Sequence, residues 1–302
     1  SVVIYLKPMN KDTKKGILFI LTAAFIYSTM PVLIRTLGSS GIPPVSQVFL
    51  RYISAFISAC VYFFVVAKQK FVFPSKNLYL LLFATIFGYG MTNLFYTIGI
   101  LNTQVSNALF IFFTFAIIAP ILGFIFLKEK VNTFNIVAIF LSFIALFLLF
   151  QPNSLSTWKI GGFFAFLSAI SQASYIIARK RLKNYSASFM MLANTFLGVL
   201  FVGILSMIFE YRFYQGAITR LSVNTWTTTI LFGVINFLAW LAMTKGFEYF
   251  KASSASIILL SELIFGVIFA FFIFHEIPTY LTLVGGGLIV AASALVILKG
   301  EN

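Results

Sequence analysis

The sequence predicts an all-α integral membrane protein of ten transmembrane helices, arranged as two five-helix repeats of opposite orientation. Three observations predict it. Of the 302 residues, 61% are hydrophobic and 9% charged, against a charged share of roughly 25% in soluble domains. Apolar windows long enough to cross about 30 Å of hydrocarbon fill nearly the whole chain. The two halves of the chain also align with one another.

The windows fall at 17–37, 44–66, 78–99, 104–127, 133–150, 160–178, 188–209, 226–247, 252–274 and 280–298. The longest connection, over 210–225, leaves no room for a separate soluble domain, so any chemistry must take place inside the bundle. The expected division is a cytoplasmic segment over 1–15, a first repeat over 16–150 and a second over 151–302. Ser1 to Pro8 has no small-residue cleavage site and reads as sequence upstream of an ordinary start at Met9. Cys60, the single cysteine, lies within the second window, so no internal disulfide can form.

A net charge of +14 invites a nucleic-acid reading, but its placement opposes one. With the N-terminus in the cytoplasm, sixteen basic residues fall inside: Lys7, Lys11, Lys14, Lys15, Lys68, Lys70, Lys76, Lys128, Lys130, Arg179, Lys180, Arg181, Lys183, Lys245, Lys251 and Lys299. Four fall outside: Arg35, Lys159, Arg212 and Arg220. This alternation is what the positive-inside rule requires of ten spans with both termini cytoplasmic. The charge is topological, and the partner it implies is a lipid bilayer, the inner or plasma membrane, with no nucleic acid.

A shift of 147 residues aligns 96–150 with 243–297 without a gap, and 13 of the 55 pairs are identical. They include Thr97/Thr244, Gly99/Gly246, Ser106/Ser253, Ala108/Ala255, Phe124/Phe271, Glu129/Glu276 and Leu141/Leu288. A shift of 145 aligns Gly16 with Gly161, Ala24 with Ala169 and Leu37 with Leu182. Five spans per half is an odd number, which forces the halves into opposite orientations about a pseudo-two-fold axis in the membrane plane. Such halves can exchange conformations and open a midplane site to either side in turn. The plain alternative is duplication that merely builds a stable bundle.

Several stretches resemble the EamA-type family of drug/metabolite transporters. They are Leu260-Ser261-Glu262 through His275-Glu276, Thr114-Phe115-Ala116 through Leu127-Lys128-Glu129-Lys130, and Tyr96-Thr97-Ile98-Gly99 leading into Ser106-Asn107-Ala108. Arg51-Tyr52 and the run from Gly161 through Ala169 to Arg179 add to them, and the resemblance spans 14–299. It implies ten helices in two repeats and, as the family's common role, efflux. The chain departs from the family at Leu263 and its repeat equivalent Ala116, where proline is frequent; Pro120 is expected to bend the fourth helix one turn later.

A charge at the centre of a membrane helix costs about 2.5–3.5 kcal/mol on insertion scales, so it faces a cavity or a partner. Glu262 lies about ten residues into the ninth window and Arg51 about seven into the second. Glu262 reads as a cation-binding or proton-coupling carboxylate, or as the partner of Arg51 in an ion pair that serves packing. Uncharged polar residues recur as repeat pairs: Tyr89 and Asn93 with Asn236 and Trp240, Asn107 and Thr114 with Ser254 and Ser261, and Tyr27 with Gln172. A spacing of seven puts Asn107 with Thr114, and Ser254 with Ser261, on one helix face each. A substrate cavity lined by Glu262, Tyr27, Tyr89, Asn93, Asn107, Gln172, Asn236, Trp240 and Ser261 is therefore expected between the first, third, fourth, sixth, eighth and ninth helices. Packing by small and hydroxylic residues is the alternative. Gly88, Gly90, Gly99, Gly233 and Gly246 fit close helix approach, and Gly285 to Gly287 a packing face.

Rival functions find little support. His275 beside Glu276 makes a poor metal site, and no cofactor is expected. With one Cys, one His and seven acidic residues, and neither a G-x-S-x-G elbow nor a phosphate-binding loop, an intramembrane enzyme lacks its machinery. The expected function is secondary-active transport of a small organic solute, an amino acid or related metabolite, by alternating access and with Glu262 coupling protons. Export is the expected direction, an uptake carrier or facilitative channel the alternatives, and a monomer or homodimer the expected state.

Overall fold

The computed structural model describes residues 11–71, 77–130, 132–150, 160–274 and 277–300. Ser1 to Pro8, Lys159, His275 and Glu276 lie outside the described residues. Ten helices cross the membrane: α1 Lys11–Ser39, α2 Pro44–Val66, α3 Leu78–Asn102, α4 Val105–Leu127, α5 Thr133–Phe150, α6 Ile160–Arg181, α7 Ala187–Phe209, α8 Val223–Gly246, α9 Ala252–Phe269 and α10 Tyr280–Lys299. Each overlaps its sequence window. The described part of the first helix starts at Lys11. Asp12 sits there at the positive end of the helix dipole, and Lys15 lies 3.9 Å from it.

The packing has the symmetry of two inverted repeats. α1 lies on α8 as α6 lies on α3, α1 meets α9 as α6 meets α4, and α2 meets α8 as α7 meets α3. Three equivalent pairs, α2 with α7, α4 with α9 and α5 with α10, meet across the axis. α5 and α10 are 28% and 22% buried, against 61% for α6 and α8 and 67% for α9, so they form the lipid-facing rim. Most basic connections, those holding Lys68, Lys128, Arg181, Lys251 and Lys299, fall on one face of the bundle, here called the basic face.

Equivalent glycines let the backbones cross closely. A Cβ on Gly99 of α3 would lie 3.2 Å from backbone atoms of Gly161 and Ala165 on α6; one on its counterpart Gly246 of α8 would lie 3.2 Å from the backbone nitrogen of Ile20 on α1. Ala165 and Ile20 are themselves repeat equivalents. In α10 only Gly285 packs tightly, against Ala145 and Leu149 of α5, while Gly286 and Gly287 face open space. The expected packing face there narrows to one residue.

Three spans are broken near the midplane. α1 is interrupted at Ser28–Thr29, α4 at Phe113–Thr114 and α9 at Leu260–Ser261. The α4 and α9 breaks are repeat equivalents with one chemical cause: Thr114 Oγ1 donates to the Ile111 carbonyl at 2.6 Å, and Ser261 Oγ donates to the Ile258 carbonyl at 2.7 Å. A hydroxyl bonded three residues back competes with the helix ladder and bends it. Pro120 lies buried inside the helical segment Phe115–Leu122, and the interruption of α4 lies at Phe113–Thr114, six residues before the proline.

Candidate functional site

The breaks in α4 and α9 turn four side chains, Phe112, Phe115, Leu259 and Glu262, toward a central cavity. Tyr27 and Met30 of α1, Thr92, Asn93 and Tyr96 of α3, Gln172 of α6 and Trp240 of α8 complete its wall. Eight of these eleven residues form four repeat pairs: Tyr27/Gln172, Asn93/Trp240, Phe112/Leu259 and Phe115/Glu262. The cavity therefore sits on the pseudo-two-fold axis, and at each pair the axis relates unlike chemistry. Its free space is about 30 Å³, room for one or two waters and closed to an organic solute.

Trp240 anchors the wall, 2% exposed, with the rings of Tyr89 and Tyr175 edge-on at 4.7 and 4.8 Å and that of Tyr27 at 6.3 Å. Edge-to-face rings align positive edges with negative faces and hold an aromatic cluster rigid. Tyr27 Oη and Gln172 Nε2, the α1/α6 pair, both donate to Met243 Sδ, at 3.6 and 3.2 Å. Tyr89 lies in a π-helical stretch of α3, Phe83–Met91, a distortion frequent at functional sites. It stacks on Tyr52 at 4.9 Å, and its hydroxyl accepts from Asn236 Nδ2 at 3.1 Å. Tyr89 and Asn236 thus buttress the wall from behind and do not line the cavity.

Glu262 is 6% exposed and has no hydrogen-bond or ion-pair partner among the described residues. Its side chain also lines a second space, a vestibule of about 630 Å³ bounded by Ser28, Pro31 and Val32 of α1, Val105, Ser106, Leu109 and Phe113 of α4, Leu149 and Phe150 of α5, Leu263, Gly266, Val267 and Phe269 of α9 and Thr282 of α10. Those ends of α4, α5 and α10 lie on the face opposite the basic one. One carboxylate therefore lines both a cavity too small for an organic solute and a larger vestibule.

Arg51 does not pair with Glu262. Its guanidinium, 1% exposed, turns toward α3 and α8: Nη2 donates to Asn93 Oδ1 at 3.2 Å and to Thr97 Oγ1 at 3.1 Å, and the Phe232 ring lies 4.5 Å away. Overlapping depth did not bring the two together because they occupy different sides of the bundle's polar layer. Asn107, 4% exposed, sits in the first turns of α4 beside Gln104 at 3.4 Å, and Ser261 spends its hydroxyl on the helix break. Neither lines the cavity. The structure adds Met30, Thr92, Tyr96, Phe112, Phe115 and Leu259 to the wall; the repeat pairing of Phe115 with Glu262 was the signal available for one of them.

The sequence model of the EamA-like transporter family matches residues 14–151 and 159–298. The chain belongs to this family. It is a multi-pass membrane transporter of small solutes and not an enzyme. An uncharacterized transporter of Clostridium kluyveri is 24% identical over 260 residues, covering 81% of this chain and 82% of that one. The pseudopaline exporter CntI of Pseudomonas aeruginosa is 18% identical, covering 92% and 94%. A protein crystal structure superposes on the transporter with a TM-score of 0.73 at 14% identity, over 96% of this chain and 99% of that one, and shares its fold.

Proposed function

We propose that this transporter exports a small organic solute, an amino acid or related metabolite, by alternating access, with Glu262 coupling the movement to protons. The observation that carries this reading is that Glu262 lines both the small midplane cavity and the larger vestibule beside it. A carboxylate placed there can meet a cation or proton from the vestibule and present it to the cavity. Inverted repeats with a site on their axis are the architecture alternating access uses. The charge alternation supports a plasma-membrane orientation with the basic face and both termini cytoplasmic, so that the vestibule opens outward. Export is the direction named for the Pseudomonas relative, and the division at 150/151 supplies the two moving halves.

Purified protein in liposomes tests the reading. Saturable counterflow of a radiolabelled amino acid or related metabolite is the expected result; unsaturable conductance would replace the carrier by a channel. Glu262→Gln should abolish exchange driven by a pH gradient while leaving the fold intact, and an unaltered pH dependence would remove the coupling role.

A further inference from the structure

Arg51 presents an electrostatic problem that the proposed role of Glu262 leaves unsolved. Its guanidinium has five N–H donors, yet Nη2 alone finds partners among the described residues, while the buried Nε and Nη1 have none there. Asn93 and Thr97 are neutral, so among the described residues no carboxylate pairs with the charge. On the cavity side of the same helix, Tyr96 has a hydroxyl that is also buried and unpartnered, on a residue 8% exposed. Asn93, which accepts from Arg51, lines that cavity beside Tyr96. A buried cation without a counter-charge is costly, more so at membrane depth, and its planar fork suits a carboxylate.

We propose that Arg51, with the Tyr96 hydroxyl and Asn93, forms an anion subsite of the central cavity that receives the carboxylate of a zwitterionic solute whose ammonium group lies on Glu262. This rests on the carrier reading given above. The two charges stay unpaired with each other because the solute joins them, each of its ends answering one pole. In the closed cavity Asn93 stands between Arg51 and the lumen, so the rocking that admits solute must also turn the Asn93 amide aside. A neutral or singly charged solute would leave one pole bare, and that is the basis of selection.

The test uses the full chain in detergent and in liposomes. The probes are leucine, phenylalanine and threonine, each with its decarboxylated amine and its deaminated acid, in chloride and in gluconate buffers. Thermal stabilisation by at least one zwitterion, stronger than by its amine or acid, is expected. Arg51→Gln should weaken that zwitterion about ten- to a hundredfold, the worth of a charge-assisted hydrogen bond, and leave the amine unchanged. Because Arg51 also ties Asn93 and Thr97, Tyr96→Phe is the second variant: its hydroxyl has no internal partner, so the fold should keep its melting temperature while zwitterion affinity falls. Equal loss of zwitterion and amine, or amine binding as tight as the zwitterion's, would overturn the subsite while leaving a carrier of amines. Affinity that follows chloride and ignores the carboxylate would assign Arg51 to an inorganic anion and overturn it too. Binding of none of the nine probes, with no counterflow, would overturn both proposals.

Discussion

The vestibule beside Glu262 and the region related to it by the repeat are built from matching positions and stand in opposite states. Val32, Val105, Leu109, Leu263 and Gly266 border the vestibule. Their counterparts Ile177, Ala252, Ser256, Ala116 and Ala119 are buried against one another on the basic-face side of the cavity. Val32 is 48% exposed and Ile177 6%. Two local differences accompany this. α1 is broken at Ser28–Thr29, whereas its equivalent α6 runs unbroken from Ile160 to Arg181. Both faces carry charged fastenings. On the basic face Arg179 of α6 pairs with Glu248, Arg181 donates to the Phe126 carbonyl of α4, and Glu129 accepts from the Ala252 N–H at the head of α9 at 3.0 Å. On the other face Arg35 of α1 donates to the Thr103 carbonyl, and Glu210 accepts from the Val45 N–H at the head of α2 at 3.0 Å. The repeat positions of Arg179 and Glu248 are Ile34 and Leu101, which cannot form an ion pair. The Arg179–Glu248 ion pair is therefore a charged fastening that sets the basic face apart from its repeat equivalent among the described residues.

The comparison can be sharpened first by chemical labelling in a Cys60→Ser background. Leu109→Cys should react with a membrane-impermeant maleimide on the order of a hundredfold faster than the equivalent Ser256→Cys, the ratio expected if opening the closed side costs about 3 kcal/mol. Equal rates would mean that the two regions do not differ in solution. Next, Arg179→Ala should break it. Arg179 is 2% exposed but Glu248 41%, so the loss is set below that of a fully buried pair, at about 1–3 kcal/mol. Labelling of Ser256→Cys should rise accordingly, by about five- to a hundredfold. Glu129→Ala removes the carboxylate that caps α9 and should shift the same balance by about 1 kcal/mol, visible as a smaller rise in Ser256→Cys labelling. Ser261→Ala and Thr114→Ala, at equivalent breaks, should each change stability by only about 0.5 kcal/mol, read as melting temperature. A larger loss in one than in the other would show that the two breaks do different work.

The spans were legible because apolar length is a property of the chain alone: the window over 133–150 and the helix Thr133–Phe150 coincide. The inverted halves were legible because glycine, serine and glutamate pairs survive in a background of interchangeable aliphatics. Tyr27, Asn93, Gln172, Trp240 and Glu262, which line the cavity, stood out because polar and amphipathic groups are costly in hydrocarbon. Phe112, Phe115 and Leu259 did not, since an apolar residue facing a cavity reads the same as one facing lipid. Asn107 was misplaced by a sound rule applied across a discontinuity. Seven residues put it on the face of Thr114 only in an unbroken helix, and α4 breaks at Phe113–Thr114. The partner of Arg51 was illegible for a related reason, because depth along a helix says nothing about the direction in which a side chain points around it.

The position opposite Glu262 across the pseudo-two-fold axis is held by Phe115, and the position opposite Asn93 by Trp240. The frame can be turned about its axis and look nearly the same, but its lining cannot. On the proposed alternating-access reading, a passenger gripped by such a lining keeps one head and one tail relative to the bilayer as the helices rock. It meets one aqueous face with its polar end leading and the other with that end trailing. A nearly symmetric machine thereby gives its cargo a direction at the level of single side chains.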